Sequence, residues 1–76
     1  MFLIRRLLLI LQVSAKVRFP VTGGGGHEHI WVTDLAFRQS ALVGKVGNEP
    51  RDVADLRLGS SVTVNEADIS DWACVE

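Results

Sequence analysis

The sequence predicts an α+β domain: a small antiparallel sheet of four to five short strands, open or partly closed into a barrel, with an apolar amino-terminal helix. Three observations carry that expectation. Several short runs after residue 15 alternate apolar and polar side chains, the pattern of half-buried strands. Clusters of Gly, Pro, Asn, Asp and Ser separate the runs, as tight turns do in small sheets. Residues 1–13 show no alternation: Phe2, Leu3, Ile4 and the unbroken run Leu7 to Leu11 are apolar on every side, as suits a helix packed on a sheet.

The elements follow in order. Residues 1–15 form the apolar helix and residues 16–76 the β-rich domain. Lys16-Val-Arg-Phe-Pro20 is the first strand, with Val17 and Phe19 on one face and Pro20 ending it. Gly23 to Gly26 are a loop. Glu28 to Leu35 is the strongest strand, rich in β-branched and aromatic residues. Ile30 and Val32 share a face with Glu28, while His29, Trp31 and Thr33 take the other. Ala41–Val46 is the third strand and Gly47 to Pro50 a turn. Arg51 to Leu58 reads as a helical turn capped by Asp52 and stopped by Gly59. Ser61–Val64 is the fourth strand, with Val62 and Val64 inward. Asn65 caps another short turn, and Trp72 to Val75 closes the sheet.

Size and charge narrow the function classes. A chain of 76 residues is one domain, and 47% hydrophobic residues place it among folded proteins. The charge is unevenly spread. Residues 1–26 hold four bases and no acid, whereas residues 27–76 hold four bases against nine acids, a formal charge of −5. That acidic balance argues against nucleic acid as a partner, since phosphate binding needs a basic surface. The amino-terminal apolar run is shorter than the ~20 residues a membrane-spanning helix needs. Cys74 is the single cysteine, so no disulfide can close within the chain, which fits a reducing, cytoplasmic setting. It reads as a small buried hydrophobe beside a buried Trp72. The rival reading of the amino terminus is a secretory signal, with Arg5 and Arg6 as its basic region and cleavage near Ala15.

Chemistry-bearing motifs are sparse. The four glycines lack the Gly-Lys-Ser/Thr ending and the following helix of a phosphate loop. His27, Glu28 and His29 are the one cluster of candidate ligands. His27 and His29 would share a strand face, but two ligands do not make a zinc site, and no metal or other cofactor is expected. No spacing marks a catalytic triad. Trp31 and Trp72 read as core, the other use of an exposed Trp being to anchor a bound peptide. The candidate binding residues are therefore His27, His29 and Trp31, and no catalytic residue is assigned.

Lys16-Val-Arg-Phe, Glu28-His-Ile-Trp-Val, Gly44 to Pro50, Leu56-x-x-Gly59-x-x-Val62 and Asp68-Ile-Ser-Asp-Trp72 occur in that order. Together they resemble the bacterial family called domain of unknown function 2314 (YegJ-like), over roughly Lys16 to Trp72. The resemblance implies a small α+β domain, alone or attached to other modules, with no established activity, cofactor or catalytic residue to carry over. Its members have a longer leading region, so it also implies a shortened first helix here. The functional expectation is a non-catalytic protein-interaction or regulatory module whose partner is another protein. A small metal-dependent or hydrolytic enzyme using His27, Glu28 and His29 is the second reading. A helix apolar all round needs cover, which predicts a homodimer through Leu7, Leu8 and Leu11.

Overall fold

The computed structural model describes residues 12–75. Within them the protein is all-β, which corrects the α+β expectation. Five strands form one antiparallel sheet: β1 (Gln12–Pro20), β2 (His27–Arg38), β3 (Ala41–Val46), β4 (Ser61–Val64) and β5 (Ile69–Val75). Their order is β4-β3-β2-β1-β5. The helical segment expected to run through Ala15 is strand from Gln12 onward. Val13 and Ala15 simply continue the alternation of Val17 and Phe19; pairing with both β2 and β5 fixes Ala15 as strand, and pairing with Cys74 of β5 fixes Val13. The remaining helical expectation, and with it the dimer contact assigned to Leu7, Leu8 and Leu11, lies outside the described residues.

The connection from β4 to β5 dictates how the sheet curves. In a flat sheet four strand spacings of ~4.8 Å would separate these two edges, about 19 Å. The five steps from Val64 to Ile69 reach at most ~17 Å fully extended. They are also shortened by a 3-10 turn at Glu66–Asp68, capped by Asn65, whose side-chain oxygen accepts from the Ala67 N–H at 3.0 Å. The sheet must therefore curl, bringing its edges towards each other. Inside the curl sit Val13, Ala15, Val17, Val32, Leu35, Leu42 and Val64, all buried, with Phe19, Phe37, Val62 and Ile69 packed against them.

One irregularity shapes β2. Two residues, Asp34 and Leu35, stand opposite Gly44 alone, a β-bulge in which Asp34 takes a positive φ of 53°. The bulge shifts the inward phase from Ile30 and Val32 to Leu35 and Phe37, so β2 keeps apolar side chains on the inward side from Ile30 to Phe37. It also presses β2 onto Gly44. A Cβ there would stand 2.5 Å from Val32 Cγ1 and 2.7 Å from the Thr33 carbonyl oxygen. The β2–β3 hairpin turns through Gln39 and Ser40, both at positive φ, 51° and 69°.

Residues 47–60 form a long loop, and the helical turn expected at Arg51 to Leu58 is not there. So short a helix is unstable by itself, and the loop backbone finds better partners at a distance. The Asp52 carbonyl accepts from the Thr22 N–H at 2.8 Å, and the Thr22 hydroxyl accepts from the Ala54 N–H at 2.8 Å. Two further expectations fail at β5. Trp72 and Cys74 stand across from the buried Ala15 and Val13, so both are on the core side of the sheet. Each is nevertheless exposed, Trp72 by 37%, because β5 is an edge strand with a neighbour on one flank only. The strand itself begins at Ile69 rather than Trp72.

Candidate functional site

With the apolar side chains turned into the curl, the opposite face of the sheet carries the polar and charged ones. Strand register places them. Lys16 pairs with Trp31 and Arg18 with His29 across β1 and β2. Thr33 pairs with Lys45 and Arg38 with Ala41 across β2 and β3, and Lys45 pairs in turn with Ser61 on β4. Directly paired residues share a face. The outward face therefore holds His29, Trp31 and Thr33 in a row, flanked by the cations Lys16, Arg18, Arg38 and Lys45. Four of the six bases among the described residues lie on this face. Of the acids, Asp71 pairs with Lys16 on this same face and Asp34 stands at the β2 bulge beside Arg38 and Lys45, while Glu49, Asp52 and Asp55 lie in the long loop and Glu66 and Asp68 in the turn.

Trp31 is half-buried, and its backbone is held on both sides: its N–H donates to Asn48 Oδ1 at 2.7 Å and its carbonyl accepts from the Gly47 N–H at 2.7 Å. The Lys16 ammonium lies 5.8 Å from the Trp31 ring centroid, a cation–π distance. His29 is exposed, with Nδ1 3.2 Å from the hydroxyl of Ser70. Ser70 is the extra residue of a bulge in β5, and its hydroxyl donates to the Lys16 carbonyl at 3.2 Å. A hydroxyl has one proton to give. With that proton on Lys16, the contact to His29 is satisfied when Nδ1 carries a proton to donate. Arg18 reaches Asp68 across an exposed 3.5 Å ion pair.

The expected cluster of His27, Glu28 and His29 separates. His27 and His29 alternate on the outward face and both are exposed. The Glu28 carboxylate accepts from the Arg51 N–H at 2.8 and 3.1 Å and from the Asp52 N–H at 2.8 Å, fastening the long loop to β2. Those backbone hydrogen bonds, Asp52 first and then Arg51, hold its pKa below the ordinary 4.5. Among the described residues no group of three or more His, Cys, Asp and Glu side chains is placed to hold a metal ion. Nor, among them, is any helix long and apolar enough to cross a membrane.

A cavity of about 280 Å³ opens at the β2 bulge, lined by Asp34, Ala36, Arg38, Val43, Lys45 and Ser61 with the Gly44 backbone. Sequence reading missed it. Its residues come from three strands and meet only because the bulge displaces Asp34. A signal was present: the apolar phase slips from Ile30 and Val32 to Leu35 and Phe37, and such a slip within one strand marks an inserted residue.

Comparison with known proteins completes the description. The model of a family described as an uncharacterized protein conserved in bacteria, domain of unknown function 2314, matches residues 4–76. The chain is 34% identical over 56 residues to the uncharacterized protein YegJ of Escherichia coli, covering 74% of this chain and 37% of that one. It is 36% identical over 74 residues to a protein of Neisseria meningitidis provisionally named an ankyrin repeat protein, covering 93% of this chain and 29% of that one. The chain thus spans about a third of the length of the curated relatives it matches. No solved structure matches it.

Proposed function

The chain belongs to the uncharacterised bacterial family domain of unknown function 2314, and we propose on that footing that it is a protein-interaction module without catalysis of its own, docking a partner protein on the outward face of its sheet. One observation carries the reading. The outward face presents an aromatic ring, Trp31, among cations from three strands, and the Arg38 and Lys45 side chains make no ion pair or hydrogen bond with the described residues. Buried aromatic anchors ringed by charge are how interaction surfaces concentrate binding energy and select partners. The Neisseria relative supports the same view: the matching segment is under a third of a longer protein named for ankyrin repeats, as expected of a module joined to other modules. A metal-dependent or hydrolytic site at His27, Glu28 and His29 is disfavoured, because Glu28 is committed to the long loop.

Immobilised protein and quantitative mass spectrometry of bound bacterial proteins test this. A partner captured by the wild type should be lost by Trp31→Ala and by Lys45→Glu, and kept by Leu58→Ala on the long loop. Equal capture by all four proteins contradicts the assignment.

A further inference from the structure

We propose that the cavity at the β2 bulge is the seat of a single carboxylate side chain of the partner protein, held by Arg38, Lys45 and Ser61. This deepens the outward-face reading and rests on it. Three features of the cavity point to that ligand. The first is charge: Arg38 and Lys45 against Asp34 leave the lining at a formal +1, which one carboxylate neutralises and a phosphate dianion would overshoot. The second is donor chemistry. Arg38 offers a planar fork suited to two carboxylate oxygens, Lys45 a point charge, and Ser61 a hydroxyl on the neighbouring strand. The third is size. About 280 Å³ lies just below the range of small-molecule pockets, which suits a side chain better than a whole metabolite.

The backbone that carries the site is set in place before any ligand arrives. Lys45 and Ser61 are direct cross-strand partners, and the Lys45 carbonyl accepts from the Thr33 hydroxyl at 3.4 Å. Arg38 ends β2 at the tight Gln39-Ser40 turn, so its backbone is fixed by β3 pairing on one side and the turn on the other. Asp34 has a distinct role. Its position in the bulge puts a negative charge on the wall of a basic cavity, which limits the cavity to monoanionic groups and disfavours phosphate and nucleic acid.

The test is a nitrogen-15 NMR titration of the full chain with an acetylated, amidated tetraglutamate peptide, compared with inorganic phosphate and with an oligothymidylate. The peptide should produce saturable shifts at the Lys45 and Ser61 amides and at Arg38 Nε. Arg38→Gln with Lys45→Gln, both exposed and without side-chain partners among the described residues, should keep the fold and weaken the peptide about tenfold or more. Asp34→Asn removes the opposing charge while keeping a residue type that accepts positive φ, and should tighten the peptide several-fold. Shifts that avoid the cavity, survive the double substitution, or are stronger with phosphate or oligothymidylate overturn the proposal. A cavity that takes no peptide while partner capture still requires Trp31 removes the carboxylate seat and leaves the interaction surface standing. Loss of both removes the two together.

Discussion

Gly44→Ala tests the packing at the bulge, and its cost can be worked from contacts. The added methyl would meet Val32 Cγ1 at 2.5 Å, the Thr33 carbonyl oxygen at 2.7 Å and Leu35 Cδ2 at 3.1 Å. Val32 is fully buried and Thr33 O is backbone, so neither can swing aside, and relief requires β2 and β3 to part. Overpacking of that kind costs about 1–3 kcal/mol. Restricting the unfolded chain returns about 0.4–1 kcal/mol of it. The net expectation is a loss of about 1–2 kcal/mol, a large share of the roughly 4–11 kcal/mol available to a domain of 76 residues. In a thermal melt followed by circular dichroism, Tm should fall by about 5–15 °C. An unchanged or raised Tm would refute the close approach of β2 to Gly44, and with it the bulge that builds the cavity.

Other outcomes follow from the same structure. Replacing Gln39-Ser40 by Asn-Gly suits a turn with two positive φ values and should stabilise by about 1 kcal/mol, read as a Tm raised about 4–8 °C; a lower Tm would contradict the turn geometry. Glu28→Gln should speed amide exchange at Arg51 and Asp52 while leaving β1 protection intact, and protection unchanged at both amides would deny the carboxylate its anchoring role. The Glu28 pKa is lowered in the folded state, so its contribution is full above the ordinary 4.5 and disappears as pH falls through the folded value. The Tm gap between wild type and Glu28→Gln should accordingly close under acid conditions. Trp72, read from the sequence as core, is 37% exposed; in a Trp31→Phe background its fluorescence should be readily quenched by acrylamide, and a shielded Trp72 would contradict the edge position of β5.

What the sequence made legible was local. Strand β4 carries clean alternation and β3 is an apolar run between turn residues; both lie where expected, and the cap at Asn65 depends on residues within two positions of it. Trp72 reads from the sequence as buried core; it pairs with the buried Ala15 but stands 37% exposed, because exposure depends on which strand lies at the edge. Strand order is a long-range property with no local signature. The start of β1 was hidden by the unbroken apolar run before it, although Val13 and Ala15 already alternate. Composition misled on charge as well. An acidic carboxyl-terminal part hid a face with more bases than acids, because five of the eight acids among the described residues lie in the long loop and the turn while four of the six bases lie on the outward face. Of the candidate site, His27, His29 and Trp31 follow from strand period alone; Arg38, Lys45 and Ser61 needed the bulge.

Site-specific photo-cross-linking in bacterial cells tests the docking surface most directly. A photoreactive residue is placed at His29 or Thr63, both exposed on the outward face, or at Leu58, 60% exposed on the long loop. The account predicts one protein adduct common to the two sheet positions, missing at Leu58, and reduced when Arg38→Gln and Lys45→Gln are added. An adduct formed from Leu58 alone, or none from either sheet position, would contradict it.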